Sequence, residues 1–108
     1  MKGTHLGEFE EFTLLAVRAL GRSTYGVPVQ EFVERTTGRN VSMGAVYAAL
    51  DRLEEKGLVR SMLLESLPIR GGQRKRVFEV TPLGTRTLLR LRRVRARIWQ
   101  VIEATERS

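Results

Sequence analysis

Residues 58–80 constrain this chain most, because they cannot continue the helical patterns on either side of them. Leu58 to Leu64 is apolar and β-compatible, and Arg76 to Val80 sets Arg76, Phe78 and Val80 in alternation with Val77 and Glu79. Between them lies a loop rich in Gly and Arg, so the two runs read as a β-hairpin. What precedes the hairpin then decides the fold class.

Three helices are expected before it. The first runs from Glu8 to about Leu20, with Phe9, Phe12, Ala16 and Leu20 at helical spacing and Leu15 widening the stripe. Glu8, Glu10 and Glu11 crowd its first turn, where the dipole favours anions, and Gly21 is a natural stop. After the link Ser23-Thr24-Tyr25-Gly26, Pro28 fits the first turn of a second helix that carries Val29, Phe32 and Val33 and ends at Gly38. Asn40 to Ser42 is a brief extended piece. Ser42 is the expected N-cap of a third helix, Met43 to about Lys56, with Val46, Ala49, Leu50 and Leu53 inward and Gly57 at its end. Beyond the hairpin, Thr81-Pro82 offers an N-cap and first-turn proline for a last helix reaching Glu103 or further. The order is helix, helix, helix, strand, loop, strand, long helix. It predicts a mostly α chain with a small β-hairpin: a winged helix-turn-helix plus a long C-terminal dimerisation helix. Residues 1–81 would form the winged part and 82–108 the dimerisation helix, as one compact unit.

Composition narrows the function. The 108 residues suit one domain and include no Cys, which excludes disulfides, thiolate metal sites and thiol nucleophiles. No run approaches the ~18 apolar residues of a membrane span, and Met1 to Gly7 lacks a signal-peptide layout. A cytoplasmic location is expected. Nineteen Lys and Arg oppose twelve Asp and Glu, a formal net charge of +7 that attracts polyanions. Sixteen of the cations are Arg, which suits bidentate phosphate and guanine contacts but is equally what a GC-rich genome encodes. Enzyme readings find no support. His5 is the sole histidine and sits near the terminus, and no catalytic triad, metal-ligand set or phosphate loop can be assembled. No cofactor is expected. Glu54 and Glu55 read as ordinary solvated charge.

Three constellations carry the functional expectation. On the third helix, Gly44, Tyr47, Ala48 and Asp51 would point outward, with Ser42 and Met43 at the tip. Gly44, Ala45, Ala48 and Ala49 keep the helix slim enough to enter a major groove, and the N-terminal N–H groups with Ser42 suit a phosphate. An ordinary packed helix with Tyr47 half-buried is the alternative. The hairpin loop, Arg70-Gly71-Gly72-Gln73-Arg74-Lys75-Arg76, holds four cations and no acid. It is the expected DNA-gripping wing, against the alternative of a solvated loop. On the last helix, Leu91, Val94, Ile98 and Val101 recur in steps of three and four, flanked by Leu88 and Ile102 with Trp99 alongside. Together with Phe9 and Phe12 of the first helix they form the expected dimer interface; a helix folded back on its own domain is the alternative. Opposite the seam, Arg86, Arg90, Arg93 and Arg97 make a basic stripe.

The block Val41-Ser42-Met43-Gly44-Ala45-Val46-Tyr47 through Arg52-Leu53-Glu54 to Gly57-Leu58-Val59 resembles the recognition-helix region of the PadR family. That family has a Ser-x-Gly-Thr-Leu-Tyr start, an Arg-Leu-Glu middle and a Gly-Leu-Ile/Val end. Gly71 to Gly84 is similar to the family's wing and its Leu-Thr-x-x-Gly lead-in to the last helix, and Tyr25-Gly26 matches a feature ahead of the second helix. The chain differs in having Ala45 and Val46 where Thr and Leu are usual, and Phe78 where an aromatic pair is common. The resemblance implies a bacterial-type transcriptional repressor that binds a partly palindromic operator in double-stranded DNA. It would act as a homodimer joined through first and last helices. In some relatives a small-molecule effector, a phenolic acid or a hydrophobic cation, releases the DNA. Arg92 and Arg95 flank the apolar seam, which argues against a greasy effector pocket there. A winged-helix protein-interaction adaptor and a nonspecific nucleic-acid-binding protein are the competing readings.

Overall fold

The computed structural model describes residues 5–65 and 74–107, and within these the elements follow the expected order. They are α1 (Glu8–Ala19), α2 (Gly26–Thr37), α3 (Met43–Glu55), β1 (Val59–Glu65), β2 (Arg74–Val80) and α4 (Pro82–Arg107). The chain is mostly helical with one antiparallel hairpin, a winged helix-turn-helix followed by a long C-terminal helix.

The helix ends are set by local chemistry. Ser42 Oγ accepts the Ala45 N–H at 3.0 Å, satisfying one of the donors that the start of α3 leaves unpaired. At its other end Gly57, at φ +78°, lets Leu58 N–H reach Leu53 O and Gly57 N–H reach Glu54 O, both at 2.9 Å. That is a Schellman closure, and it turns the chain straight into β1. Gly38, at φ +74°, ends α2 in the same left-handed conformation. Thr81 starts α4 as anticipated: its hydroxyl accepts Gly84 N–H at 3.0 Å and donates to Gly57 O at 2.6 Å. The end of α3, the start of β1 and the start of α4 are thereby knotted together. Gly84 sits so close to the Leu58 carbonyl that no side chain fits between them.

The core fills the space between α1, α2, α3 and the hairpin base. Leu14, Val17, Val29, Val33, Val46, Leu50, Leu53, Leu58, Val59 and Phe78 are all buried. The inner face anticipated for α3 is the one observed. On α1 the face is rotated from the expected stripe. Thr13, Leu14, Ala16 and Val17 are buried, Phe9, Phe12 and Leu20 only half so, and Leu15 is exposed. The cause is that α1 packs on two sides, against α2 and α3 and also against α4, so no single stripe describes it.

The hairpin pairs Val59 with Val80 through Glu65 with Arg74, which begins β2 two residues earlier than the alternation suggested. Thr24, expected in a plain link, exchanges two backbone hydrogen bonds with Phe78, at 3.0 and 2.7 Å. This bridge covers the free edge of β2 and locks Phe78 over the core. A fully buried Phe contributes about 1.5–3 kcal/mol relative to an exposed one.

Candidate nucleic-acid interface

Helix α3 offers a slim leading end. Gly44 is exposed, and a Cβ built there would meet nothing nearer than Ser42 Oγ at 3.9 Å. Ser42 is exposed and Ala48 half-exposed. The Ser42 oxygen is engaged as the cap, which leaves its hydroxyl hydrogen free to donate.

Two neighbouring residues are turned partly inward. A Cβ at Gly26 would lie 2.5 Å from Tyr47 Oη and 3.0 Å from Met43 Cε, so Tyr47 and Met43 rest on the bare first turn of α2. The Tyr47 ring also approaches Phe78, with centroids 6.5 Å apart at 51°. Tyr47 remains 36 % exposed. It therefore spans α2, α3 and β2 while keeping its edge open. Tyr25-Gly26, which in sequence was only a match ahead of α2, is the seat this tyrosine requires.

The base of the wing is tied to both flanking helices. On one side, the Lys75 ammonium lies 4.1 Å from the centre of the Tyr25 ring, just ahead of α2. On the other, the Arg76 guanidinium meets Asp51 at 2.9 Å and Glu54 at 2.8 Å and stacks 4.8 Å from the centre of the Phe78 ring. Glu54 also accepts the Ser61 hydroxyl at 2.7 Å. That hydrogen bond, opposed by burial and helped by Arg76, holds the Glu54 carboxyl below its ordinary pKa. Arg76 in turn is raised: burial works against it, but Asp51 and Glu54 outweigh burial. Glu54 is thus a structural tie between α3 and the wing, not the solvated charge it resembled in sequence. Only the hairpin register reveals this tie: Ser61, paired with Phe78, and Arg76, paired with Leu63, both fall on the strand face turned to α3.

Arg70, Gly71, Gly72 and Gln73 lie outside the described residues, and of Arg74 only the backbone is described. Among the described residues, Met43 and Tyr47 meet the first turn of α2 beside Tyr25, which holds Lys75, and Arg76 ties the wing base to α3, while Ser42, Gly44 and Ala48 stay open to solvent in full or in part along α3.

The expected interface residues divide along α4. In its first half Gly84 and Thr87 are buried and Leu88 and Leu91 half-buried, packed toward α1 and β2. From Val94 onward the seam stands clear of the body. Val94, Ile98, Trp99, Val101 and Ile102 are 37–66 % exposed. Between α1 and α4 lies a groove of about 450 Å³ lined by Glu11, Leu15, Arg18, Thr85, Leu88, Leu89, Arg92 and Arg95. Glu11, itself buried, forms a two-pronged ion pair with Arg95, which raises the Arg95 pKa. Among the described residues no cluster of His, Cys, Asp and Glu could hold a metal ion, and no helix is long and apolar enough to cross a membrane.

Comparison with known proteins bears on this arrangement. The family model described as "Transcriptional regulator PadR-like family" matches residues 14–90. The chain belongs to the PadR-like family of transcriptional regulators. It is accordingly a DNA-binding protein of transcription regulation. Solved structures agree on the fold of this PadR-like chain. A PadR-like transcription factor from Bacteroides fragilis is 18% identical, covering 90% of this chain and 88% of its own, with a TM-score of 0.74. A PadR-like transcriptional regulator from Bacillus cereus is 17% identical over 93% of this chain and 92% of its own, with a TM-score of 0.70. A transcriptional regulator from Thermoplasma acidophilum is 22% identical over 90% of this chain and 91% of its own, with a TM-score of 0.69. A comparison with curated protein sequences finds no match.

Proposed function

We propose that this PadR-like regulator is a repressor that binds a partly palindromic operator as a homodimer and acts by occupying promoter DNA. The observation that carries the reading is the leading end of α3, where Gly44 faces open space beside Ser42 and Tyr47, next to a wing base bearing Lys75 and Arg76. In this reading Ser42, Met43, Gly44, Tyr47 and Ala48 approach base edges and phosphates in the major groove. The loop residues Arg70, Gly71, Gly72 and Gln73, with Arg74 and Lys75, follow the flanking backbone or minor groove. Arg76, engaged by Asp51 and Glu54, orients the wing and adds its charge to the backbone-following surface.

The exposed row Val94, Ile98, Trp99, Val101 and Ile102 supports a second copy as its cover, with Phe9, Phe12, Leu88 and Leu91 extending the same surface. The winged part, 1–81, and the helix 82–108 then act as one unit. Two recognition helices about 34 Å apart would enter successive major grooves. Release by a small effector belongs to the same reading. The groove between α1 and α4 is lined by Leu15, Leu88 and Leu89 and by the cations Arg18 and Arg92, Arg95 being neutralised there by Glu11, and the two remaining cations favour an anionic effector over a cationic one. The site of action is the cytoplasm, at the nucleoid, and catalysis has no part in it.

Replacing Arg74 and Lys75 with Ala tests the reading. Affinity for all duplexes should fall, and the slope of log K against log salt should flatten by about 0.9 for each phosphate that is no longer neutralised. An unchanged slope would count against the wing.

A further inference from the structure

A second concentration of positive charge lies outside the proposed DNA-reading surface of this regulator. Seven arginines less the two acids Glu103 and Glu106 give α4 a formal +5, out of +7 for the whole chain. Four of these, Arg86, Arg90, Arg93 and Arg97, follow one another in steps of four, three and four residues, which places them in one row along the helix. All four are exposed, and none has an ionic or hydrogen-bonding partner among the described residues. Most of the described cations of the winged part are paired, Arg18 and Arg22 excepted, and on α4 itself Arg95 is held by Glu11. In the winged part Glu8 meets Arg39, Glu10 meets Arg52 and Lys56, Glu79 meets Arg60, and Arg76 is shared by Asp51 and Glu54. Successive like charges at this spacing weaken a helix, so the row is a cost to the isolated chain.

Its direction matters as much as its charge. Gly84 and Thr87 mark the buried side of α4, which packs on α1 and β2, whereas α3 packs on α1, α2 and β1. At 100° per residue the arginine row lies roughly 120° around the helix from that side. The row thus faces away from the packed side of α4, and α1 is the helix that packs on both α4 and α3. The row spans about 16 Å, a length over which one strand of a duplex presents about five phosphates.

We infer that α4 carries a second, sequence-independent DNA-backbone site, through which protein bound at one duplex holds another. The inference rests on the DNA-binding reading above for its first duplex only. The test uses the full chain and three proteins: the parent, Arg90→Gln/Arg93→Gln/Arg97→Gln, and Arg74→Ala/Lys75→Ala. Bead-bound duplex from upstream of the gene is saturated with protein, and capture of a labelled 24-base-pair duplex of unrelated sequence is measured against salt. The parent captures the second duplex. The triple variant melts no lower than the parent by circular dichroism, since repulsion is relieved and Gln is a good helix former. It holds the first duplex within about threefold, but its capture of the second drops at least tenfold, with a salt slope lower by about three. The wing variant, loaded to the same surface density, captures as the parent does. Undiminished capture by the triple variant would overturn the inference, as would absence of capture by the parent, or binding by the parent of poly-glutamate in place of the second duplex. Equal loss of both duplexes would also overturn it, because the row would then belong to the primary site. Failure of the parent to bind the first duplex would instead overturn the recognition reading, and the wing variant with one free duplex would then test α4 alone.

Discussion

Replacing Gly84 with Ala puts a methyl group where the structure has no room for it. The new Cβ would overlap the Leu58 carbonyl and approach Val80 Cγ1 to 2.7 Å. Backbone cannot swing aside as a side-chain tip does, so α4 must lift from the hairpin base. Overpacking of this kind costs about 1–3 kcal/mol, against a helix-propensity gain of up to about 1 kcal/mol for Ala over Gly. Gly44→Ala supplies the internal control. Both glycines lie in the first turn of a helix, so the propensity effect is shared, but at Gly44 the methyl meets only open space. The difference between the two variants therefore reads the Gly84 packing alone. At about 4–8 °C per kcal/mol for a domain of this size, thermal melts should place Gly84→Ala at least about 5 °C below Gly44→Ala, with Gly44→Ala at or above the parent. Coincident melts would refute the close approach of α4 to Leu58, and with it the rigid seating of the long helix.

Three further outcomes follow from the same geometry. Gly26→Ala should displace Tyr47, whose hydroxyl lies 2.5 Å from the added Cβ; tyrosine fluorescence should shift and duplex affinity fall, with only a small change in melting temperature. Glu10 and Glu54 are both held below the ordinary carboxylate value of 4.5; at Glu10 burial pushes the other way and is outweighed by Lys56 and Arg52 together. Their stabilisation is therefore complete above about pH 4.5 and lost as the pH falls through the lower folded values. Melting temperature should stay level with respect to these groups from pH 7 to 5 and drop below, and Glu54→Gln should melt lower at pH 7 with a shallower acid limb. On the proposed pairing of two copies through the free half of α4, the parent should sediment as a dimer and Ile98→Asp as a monomer, without lowering the helical content of the winged part.

Legibility in the sequence differs by element. α3 could be read from residues because capping, a single buried face and a glycine stop all agreed, and the structure places Ser42, Val46, Leu50, Leu53 and Gly57 accordingly. The lead-in to α4 was equally local, as Thr81 and Pro82 act within their own turn. Long-range packing was harder. The exposure of Leu15 depends on α1 being packed on two sides, and the pairing of Thr24 with Phe78 joins residues 54 apart with no hydrophobic pattern to announce it. Glu54 looked solvated because helix position says nothing about a strand that later brings Ser61 and Arg76 alongside. In the candidate site, the small residues of α3 were visible as a pattern. The inward turn of Met43 and Tyr47 onto Gly26 was not, since it is set by the bare backbone of another helix.

The most direct test is an affinity ratio. The protein is titrated at physiological salt against the DNA upstream of its own gene and against a scrambled duplex of equal length. If the open end of α3 reads base edges, the upstream duplex should be favoured by about 10³-fold or more. Affinities within about threefold of each other would mean that the backbone alone is recognised, and sequence reading by α3 would be contradicted.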